Sequence, residues 1–179
     1  AAVVALGLPA LLKTRRFGYD GKGQWLLRTA ADVEVAAREL GDTPALLERL
    51  VPFEREVSLI AARGRDGAVA CYPLAENRHR NGILHTTFCR TSDPLQQEAE
   101  AQVGRLLEVL DHVGVLAVEF FVCDGALLAN EFAPRVHNSG HWSIEGAETS
   151  QFENHLRAIL GLPLGSTRAR GDYAMLNLI

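Results

Sequence analysis

Two glutamates interrupt apolar runs that lie close together in the sequence. Glu119 lies within Val115–Val122, and Glu131 lies within Ala126–Phe132. A buried carboxylate is costly unless a cation or several donors satisfy it. Two carboxylates on neighbouring strands can bind Mg²⁺, which prefers oxygen ligands, and the amide of Asn130 would suit the same ion. Two unrelated, partly exposed glutamates remain the alternative.

The register of these two runs depends on the loop at Asp124-Gly125, which is a strong hairpin signal. A two-residue turn would place Glu119 opposite Asn130 and send Glu131 to the other face of the sheet. A three-residue loop would place Glu119 opposite Glu131 on the same face. We predict the three-residue loop, because only that register lets both glutamates bind one metal cluster.

A glycine-rich segment follows a lysine near the start of the chain. Lys13 ends a predicted strand, and Gly18, Gly21 and Gly23 lie within the segment 18–24. Backbone N–H groups of such loops bind phosphate oxygens, and glycines permit a mobile flap. The spacing is not that of a P-loop, and a strand follows instead of a long helix. An ordinary tight hairpin is the alternative.

Polar residues are concentrated just after Glu131. Pro134 should end the strand and leave the following side chains on a loop. Arg135 suits an anion through paired hydrogen bonds, and His137 could transfer a proton near neutral pH. A zinc site at His137 and His141 would need a helix, which Pro134 disfavours. A structural loop with satisfied histidines is the other alternative.

The remaining sequence predicts the elements that position these groups. Apolar periodicity and capping residues predict helices over 30–40, 94–112 and 151–160, with Thr29, Asp93 and Ser150 as their N-cap residues. Strands are predicted at 10–14, 24–28, 45–49, 57–62, 68–72, 115–122, 126–132 and 174–179. The pattern indicates an α+β fold with mainly antiparallel sheets, divided into a small lobe (1–52) and a larger lobe (53–179).

Composition narrows the class of protein. The 179 residues are 47% hydrophobic with a net charge of −4, which gives no reason to expect a nucleic-acid or membrane partner. Up to residue 28 there are five basic residues and one acid, which fits either an anionic ligand or a solvated basic loop. The three cysteines are widely spaced and indicate a reducing, cytoplasmic location.

The start of the chain is apolar but is not typical of a signal peptide. Ala1–Leu12 has no basic region before it and no small-residue cleavage site after it. The chain also begins without methionine. We therefore expect the sequence to be the interior of a longer protein.

Five segments, in order along the chain, resemble one enzyme family. They are Lys13–Gln24, Phe53–Ser58, Tyr72–Leu74, Gly82–Leu84 and Asn130–Trp142. Together they resemble the N5-carboxyaminoimidazole ribonucleotide synthetases, which are ATP-grasp ligases of purine biosynthesis. The resemblance implies an ATP-grasp fold with ATP held between two lobes. It also implies a reaction in which ATP, bicarbonate and 5-aminoimidazole ribonucleotide give the carboxyamino ribonucleotide, ADP and phosphate.

The resemblance also implies roles for individual residues. Those implied for ATP are Lys13, Gly18, Tyr19, Asp20, Gly21, Lys22, Gly23 and Gln24 at the phosphates, Glu48, Arg49, Leu50 and Val51 at adenine, Glu56 at the ribose, and His79, Asn130 and Glu131 at the nucleotide. Those implied for Mg²⁺, or Mn²⁺ in its place, are Glu119 and Glu131. Those implied for the ribonucleotide and bicarbonate are Tyr19, Asp20, Lys22, Arg135, His137 and Asn138. Lys13, Arg135 and His137 would act in catalysis.

The chain departs from the family in two respects. Some relatives have arginine in place of Lys22, and we expect the family's N-terminal and C-terminal domains to be absent from this stretch of sequence. The family resemblance further suggests a homodimer. Another ATP-grasp ligase, such as a formate-dependent glycinamide ribonucleotide transformylase or a carboxylase subunit, is the alternative enzyme, and a non-catalytic nucleotide-binding module is the alternative from another class.

Overall fold

The computed structural model describes residues 2–16 and 22–178, and these form two compact units. The smaller unit contains the residues up to Pro52 together with Arg80–Ile83. The larger unit contains Phe53–His79 and the residues from Leu84 onward. Predicted site residues Gly18, Tyr19, Asp20 and Gly21 lie outside the described residues.

The smaller unit is built on a three-stranded antiparallel sheet. Its strands are β1 (Ala10–Thr14), β2 (Gln24–Leu27) and β3 (Ala45–Arg49), with β1 in the centre. Its helices are α1 (Ala2–Leu6) and α2 (Ala30–Leu40). Thr29 caps α2 as predicted, because its hydroxyl accepts from the Asp32 N–H while the Asp32 carboxylate accepts from the Thr29 N–H.

The larger unit contains a seven-stranded sheet. Its strands are β4 (Arg55–Arg63), β5 (Val69–Cys71), β6 (Ala75–Arg80), β7 (Ile83–Cys89), β8 (Gly114–Cys123), β9 (Ala126–Ala133) and β10 (Tyr173–Leu176). Their order is β10-β7-β6-β4-β8-β9, with β5 paired to β4. Its helices are α3 (Gln96–Val109), α4 (Ser143–Gly146) and α5 (Gln151–Leu160), and a 3₁₀ turn covers Asn138–Gly140. The prediction of an α+β fold with mainly antiparallel pairing is confirmed.

Alternation along β4 places an apolar core on each face of this sheet. Leu59 packs with Val103 and Leu107 of α3 on one face. Ile60 packs with Tyr72 and Trp142 on the opposite face. Successive side chains of a strand point to opposite faces. The polar residues of β4 with even numbers therefore share the second face with Ile60.

One helix start differs from its prediction. We expected α3 to begin at Pro94 under an Asp93 cap, but it begins at Gln96 and its N-cap residue, Leu95, makes no side-chain cap. Asp93 Oδ2 accepts a hydrogen bond from Arg55 Nη1 at 2.6 Å, and Asp93 Oδ1 accepts one from the Leu95 N–H at 2.9 Å. The Asp93 carboxylate thus binds both Arg55 of β4 and the Leu95 N–H in the turn that precedes α3. The Gln96 side chain is also taken from its predicted capping role, since its oxygen accepts from the Leu74 N–H at 2.6 Å.

The sequence prediction missed the β6–β7 hairpin and the short helices α1 and α4. Asn81-Gly82 connects β6 and β7, and both residues have positive φ (52° and 78°). This dipeptide is as strong a hairpin signal as Asp124-Gly125. No helix among the described residues is long and apolar enough to span a membrane.

Candidate active site

A β-bulge brings the two glutamates opposite each other. Cys123 pairs with Ala126 around a two-residue turn, but Glu119 still pairs with Glu131, because the register shifts between Glu119 and Phe120. Asn130 is the extra residue of this bulge. The predicted pairing is therefore confirmed, whereas the predicted three-residue loop is wrong.

The turn and the bulge have separate physical causes. Asp124 and Gly125 both have positive φ (50° and 73°), which is the requirement of a tight two-residue hairpin turn. That turn alone would have placed Asn130 opposite Glu119. A bulge adds one residue to one strand and re-aims the side chains beyond it, so both glutamates face the same side of the sheet.

The surroundings of Glu119 disfavour its charged form. Burial, and then the negative charge of Glu131, raises the pKa of Glu119 to about 7, while the positive charges of His79 and then Arg135 oppose the rise. Because both carboxylates are close enough to repel, a cation between them would remove an unfavourable interaction. Their oxygens are the ligand type that Mg²⁺ prefers.

Glu56 and His79 form a second pair on the same face of the sheet. His79 Nδ1 lies against Glu56 Oε2. The hydrogen bond to the Glu56 carboxylate raises the pKa of His79, and burial opposes this rise. The negative charges of Glu119 and Glu131 also raise it, so these four side chains form one electrostatic group.

His137 contacts the half-buried Glu119 directly. Its Nε2 lies 3.3 Å from Glu119 Oε1, and its Nδ1 lies 2.8 Å from the Ser139 hydroxyl. Burial, and then the positive charge of Arg135, lowers the pKa of His137 to about 4. The imidazole is therefore neutral at neutral pH, and its contact with Glu119 is not an ion pair between two charged groups.

The residues after β9 form a tight turn above this group. His137 caps the 3₁₀ turn at Asn138–Gly140 by accepting from the Ser139 N–H. Asn138 has a buried Oδ1 that meets no hydrogen-bond donor among the described residues. Arg135 is exposed and donates from Nη1 to the Val136 carbonyl at 2.9 Å. The loop prediction is thus correct for Pro134 and Arg135 but missed the helical turns that follow.

Metal-binding alternatives can be compared with this geometry. Within residues 2–16 and 22–178, no three His, Cys, Asp or Glu side chains group as metal ligands. The two ring nitrogens of His137 contact Ser139 and Glu119, so neither is directed at His141. A two-carboxylate set suits Mg²⁺, which usually keeps waters and phosphate oxygens among its ligands.

The predicted phosphate and adenine residues of the smaller unit contact each other. Lys13 Nζ lies 2.7 Å from Glu48 Oε2 across the β1–β3 pair. Arg49 ends β3, and the Leu50 N–H donates to the Pro9 carbonyl at 3.4 Å. Of the described glycine-segment residues, Gly23 (φ 71°) is followed by Gln24, which pairs with Lys13.

Four buried polar residues beneath the site were not predicted. They are Ser58, Asn77, Thr87 and Ser139, none more than 4% exposed. Ser58 pairs with Glu119 in the β4–β8 register. Its position inside the apolar run 57–62 was the available signal, because a buried hydroxyl needs a partner.

Comparisons with known proteins agree with the geometry. Residues 1–152 match the ATP-grasp domain model. The chain is 63% identical over 179 residues to the N5-carboxyaminoimidazole ribonucleotide synthase of Pseudomonas aeruginosa, covering 100% of this chain and 50% of that protein. The chain thus spans about half the length of the curated relatives that it matches.

Solved structures give the same result. The N5-carboxyaminoimidazole ribonucleotide synthetase of Thermus thermophilus superposes with a TM-score of 0.91 at 59% identity, over 99% of this chain and 49% of that one. The Aspergillus clavatus N5-carboxyaminoimidazole synthase, solved with ADP and 5-aminoimidazole ribonucleotide, superposes with a TM-score of 0.89 at 32% identity, over 99% and 48%. The resemblance drawn from the five sequence segments is confirmed, and the chain belongs to the ATP-grasp domain family.

Proposed function

We propose that this chain is the nucleotide-binding part of an enzyme that carboxylates 5-aminoimidazole ribonucleotide. The reaction uses ATP and bicarbonate and releases ADP and phosphate, as a step of purine biosynthesis in the cytoplasm. The observation that carries the proposal is the bulge at Asn130, which turns Glu119 and Glu131 to one face. The identity to named relatives supports the choice of substrate.

The two glutamates would hold the metal that accompanies ATP. Bound Mg²⁺, or Mn²⁺ in its place, would neutralise charge on the phosphate oxygens during transfer. Glu119 has its Oε1 in contact with His137, which fixes the orientation of the carboxylate. Glu131 is exposed at the same level of the sheet, so phosphate oxygens and water could complete the ligand set.

Other residues would bind the nucleotide. Lys13 would contact phosphates, and the flap that includes Lys22, Gly23 and Gln24 would cover them. Glu48 and the backbone of Arg49, Leu50 and Val51 would hold adenine. Glu56 would accept hydrogen bonds from the ribose hydroxyls, and its contact with His79 would hold the carboxylate in place.

Bicarbonate and the ribonucleotide would occupy the side of the site at Arg135, His137 and Asn138. The γ-phosphoryl group passes to a bicarbonate oxygen, and ADP leaves. The substrate amine then attacks the carbon of the resulting carboxyphosphate, and phosphate leaves. Arg135 offers a guanidinium for an anion, and the buried Oδ1 of Asn138 offers an acceptor for a substrate N–H or O–H group.

A hybrid enzyme tests this proposal. This chain replaces the matching half of the Pseudomonas aeruginosa relative, and ADP release is measured with each possible set of substrates. We expect release to depend on 5-aminoimidazole ribonucleotide together with bicarbonate. Dependence on formate and glycinamide ribonucleotide would favour the alternative ligase.

Two controls complete the test. The unmodified Pseudomonas aeruginosa protein verifies the assay, and a hybrid without ADP release beside that active control would contradict the proposal. Calorimetry of the chain itself measures ATP binding with and without Mg²⁺. Binding of ATP without any turnover in the hybrid would favour a non-catalytic module. The homodimer stays a prediction, which sedimentation of the hybrid would test.

A further inference from the structure

A continuous chain of buried hydrogen bonds runs beneath the glutamate site. Thr87 Oγ1 lies 2.9 Å from Asn77 Oδ1, and Asn77 Nδ2 lies 3.0 Å from Ser58 Oγ. Ser58 Oγ lies 2.8 Å from Ser139 Oγ, which lies 2.8 Å from His137 Nδ1. The four residues before His137 are almost completely buried, so water does not compete for these bonds.

The direction of this chain is determined at one end by the backbone. The Ser139 N–H donates to His137 Nδ1 at 3.3 Å. An N–H group can only donate, so Nδ1 must be the unprotonated nitrogen of the neutral ring. The Ser139 hydroxyl therefore donates its single proton to the same nitrogen.

Each remaining bond then has one consistent direction. Ser139 has already used its proton, so it accepts from Ser58. Ser58 in turn accepts from the Asn77 amide group, which directs the Asn77 carbonyl oxygen to the Thr87 hydroxyl. The reverse direction would require a proton on His137 Nδ1, facing the Ser139 N–H. That arrangement would leave two donors against each other in a buried site.

We propose that Thr87, Asn77, Ser58 and Ser139 are positioning residues that hold His137 as the neutral ring protonated at Nε2. In this form the proton of His137 is on Nε2, which lies 3.3 Å from Glu119 Oε1. A protonated ring nitrogen has no lone pair to offer, so Nε2 contacts the glutamate and is not a metal ligand. The catalytic consequence rests on the proposed function, whereas the tautomer of His137 does not.

This arrangement has a consequence for the site. Hydrogen-bonded partners of a ligating carboxylate orient it and tune its affinity. Since His137 Nε2 contacts Oε1 of Glu119, the other oxygen, Oε2, is the one left for a cation. Loss of the buried chain would let the His137 ring rotate or exchange its proton between nitrogens, and the carboxylate would lose its fixed orientation.

Nitrogen NMR of the chain labelled with ¹⁵N-histidine tests the tautomer directly. The six histidines are few enough to resolve, and loss of one signal set in His137→Gln assigns the residue. At mildly alkaline pH we expect Nδ1 to resonate as an unprotonated, hydrogen-bonded nitrogen and Nε2 as a protonated one. A protonated Nδ1 in the wild-type chain would overturn the proposal.

Variants far from the ring test the chain as a unit. Thr87→Val keeps the shape of the side chain but removes the donor to Asn77, so we expect the His137 nitrogen signals to shift toward an averaged position. Ser139→Ala should shift them further. Thr87→Ser restores the hydroxyl and should restore the signals, and Thr149→Val is a matched control in another buried threonine.

Activity provides a second readout in the hybrid enzyme. Ser139→Ala should lower kcat roughly tenfold and leave KM for ATP nearly unchanged. Loss of a residue that supports a metal ligand typically lowers activity by about 10–100-fold, and we expect the lower value here. Unchanged nitrogen signals in both Thr87→Val and Ser139→Ala, in chains that circular dichroism shows to be folded, would refute the positioning role. The expected signals in an inactive hybrid would contradict the proposed function alone.

Discussion

Two hairpins of the larger sheet have the same kind of turn but opposite chemistry. β8–β9 turns at Asp124-Gly125 and β6–β7 turns at Asn81-Gly82, and all four residues have positive φ. The first hairpin carries two carboxylates that repel each other. The second carries Asn77 and Thr87, which satisfy each other at 2.9 Å.

The difference shows that the β8–β9 hairpin is suited to bind a cation, whereas the β6–β7 hairpin is suited to support the residues around it. Like charges opposite each other in a sheet are destabilising by roughly 0.2–1 kcal/mol. A cation bound between the two carboxylates would therefore stabilise the β8–β9 pair. The neutral β6–β7 pair needs none, because its polar groups are already hydrogen-bonded and buried. Four changes, taken from the largest expected effect to the smallest, would break or sharpen this comparison.

Removal of one carboxylate should have the largest effect. Glu131→Ala in the hybrid enzyme should lower turnover by ~10²–10³, the usual loss when one stabilising group at the transition state is removed. Glu131 is exposed, so the fold should persist. Glu108→Ala, at an exposed position of α3, is the matched control. Turnover that equals that of the control would remove Glu131 from the metal site.

Neutralising the half-buried Glu119 carboxylate should change how the free energy of unfolding depends on pH. Because the pKa of Glu119 is raised to about 7 from 4.5, the folded chain holds this proton more tightly than the unfolded chain does. Its stabilising contribution is therefore complete below the unfolded value and is lost as pH rises toward the folded value. Above pH 7, ligand-free Glu119→Gln should be more stable than wild type, by on the order of 1–3 kcal/mol.

Urea unfolding at several pH values measures this effect. The gain should shrink as pH falls from about 7 to 4.5, and Glu108→Gln should show no such dependence. A destabilised Glu119→Gln at alkaline pH would indicate that the contact of the charged carboxylate with His137 outweighs the cost of burying the charge.

Deletion of Asn130 tests whether the bulge itself matters or only the pairing of Glu119 with Glu131. Without this residue the two-residue turn places Glu131 opposite Glu119 in regular register. We expect the pairing to survive and the affinity for Mg·ATP to fall about tenfold, since one good hydrogen bond to a charged group contributes about that much. Calorimetry would measure the loss. An effect as large as that of Glu131→Ala would show that the bulge geometry itself is needed.

The turn glycines should give the smallest effects. Gly125→Ala places a side chain at φ 73°, where the added Cβ meets no atom within 4 Å. The cost is therefore that of the left-handed backbone alone, roughly 1–2 kcal/mol. Gly82→Ala, at φ 78°, should cost about the same. Thermal unfolding would compare the two, and a much larger loss at Gly82 would indicate that the buried Asn77–Thr87 pair depends on its turn.

Local signals were sufficient for most of the fold. Thr29 and Ser150 cap their helices as predicted, and Gly161 ends α5 in the left-handed conformation. The start of α3 was predicted two residues too early, and the sequence could not indicate that Asp93 binds Arg55, which lies far along the chain. The β6–β7 hairpin could have been predicted from Asn81-Gly82.

For the site, the sequence alone determined which residue types are present. Glutamates in apolar runs, a lysine before glycines and a histidine after proline indicated candidate metal and phosphate ligands, each with a structural alternative. Family resemblance then supplied the nucleotide and a role for each residue, and those roles stay predictions.

Only the tertiary structure decided how these groups meet. The turn signal at Asp124-Gly125, taken alone, favours the wrong register, and the bulge at Asn130 corrects it. The hydrogen-bond chain joins residues as much as 81 positions apart, and nothing local at Ser58 indicates Ser139. The physical reason is that propensity and alternation act over a few residues, whereas the partner of a buried polar group is chosen by the packing of the whole sheet.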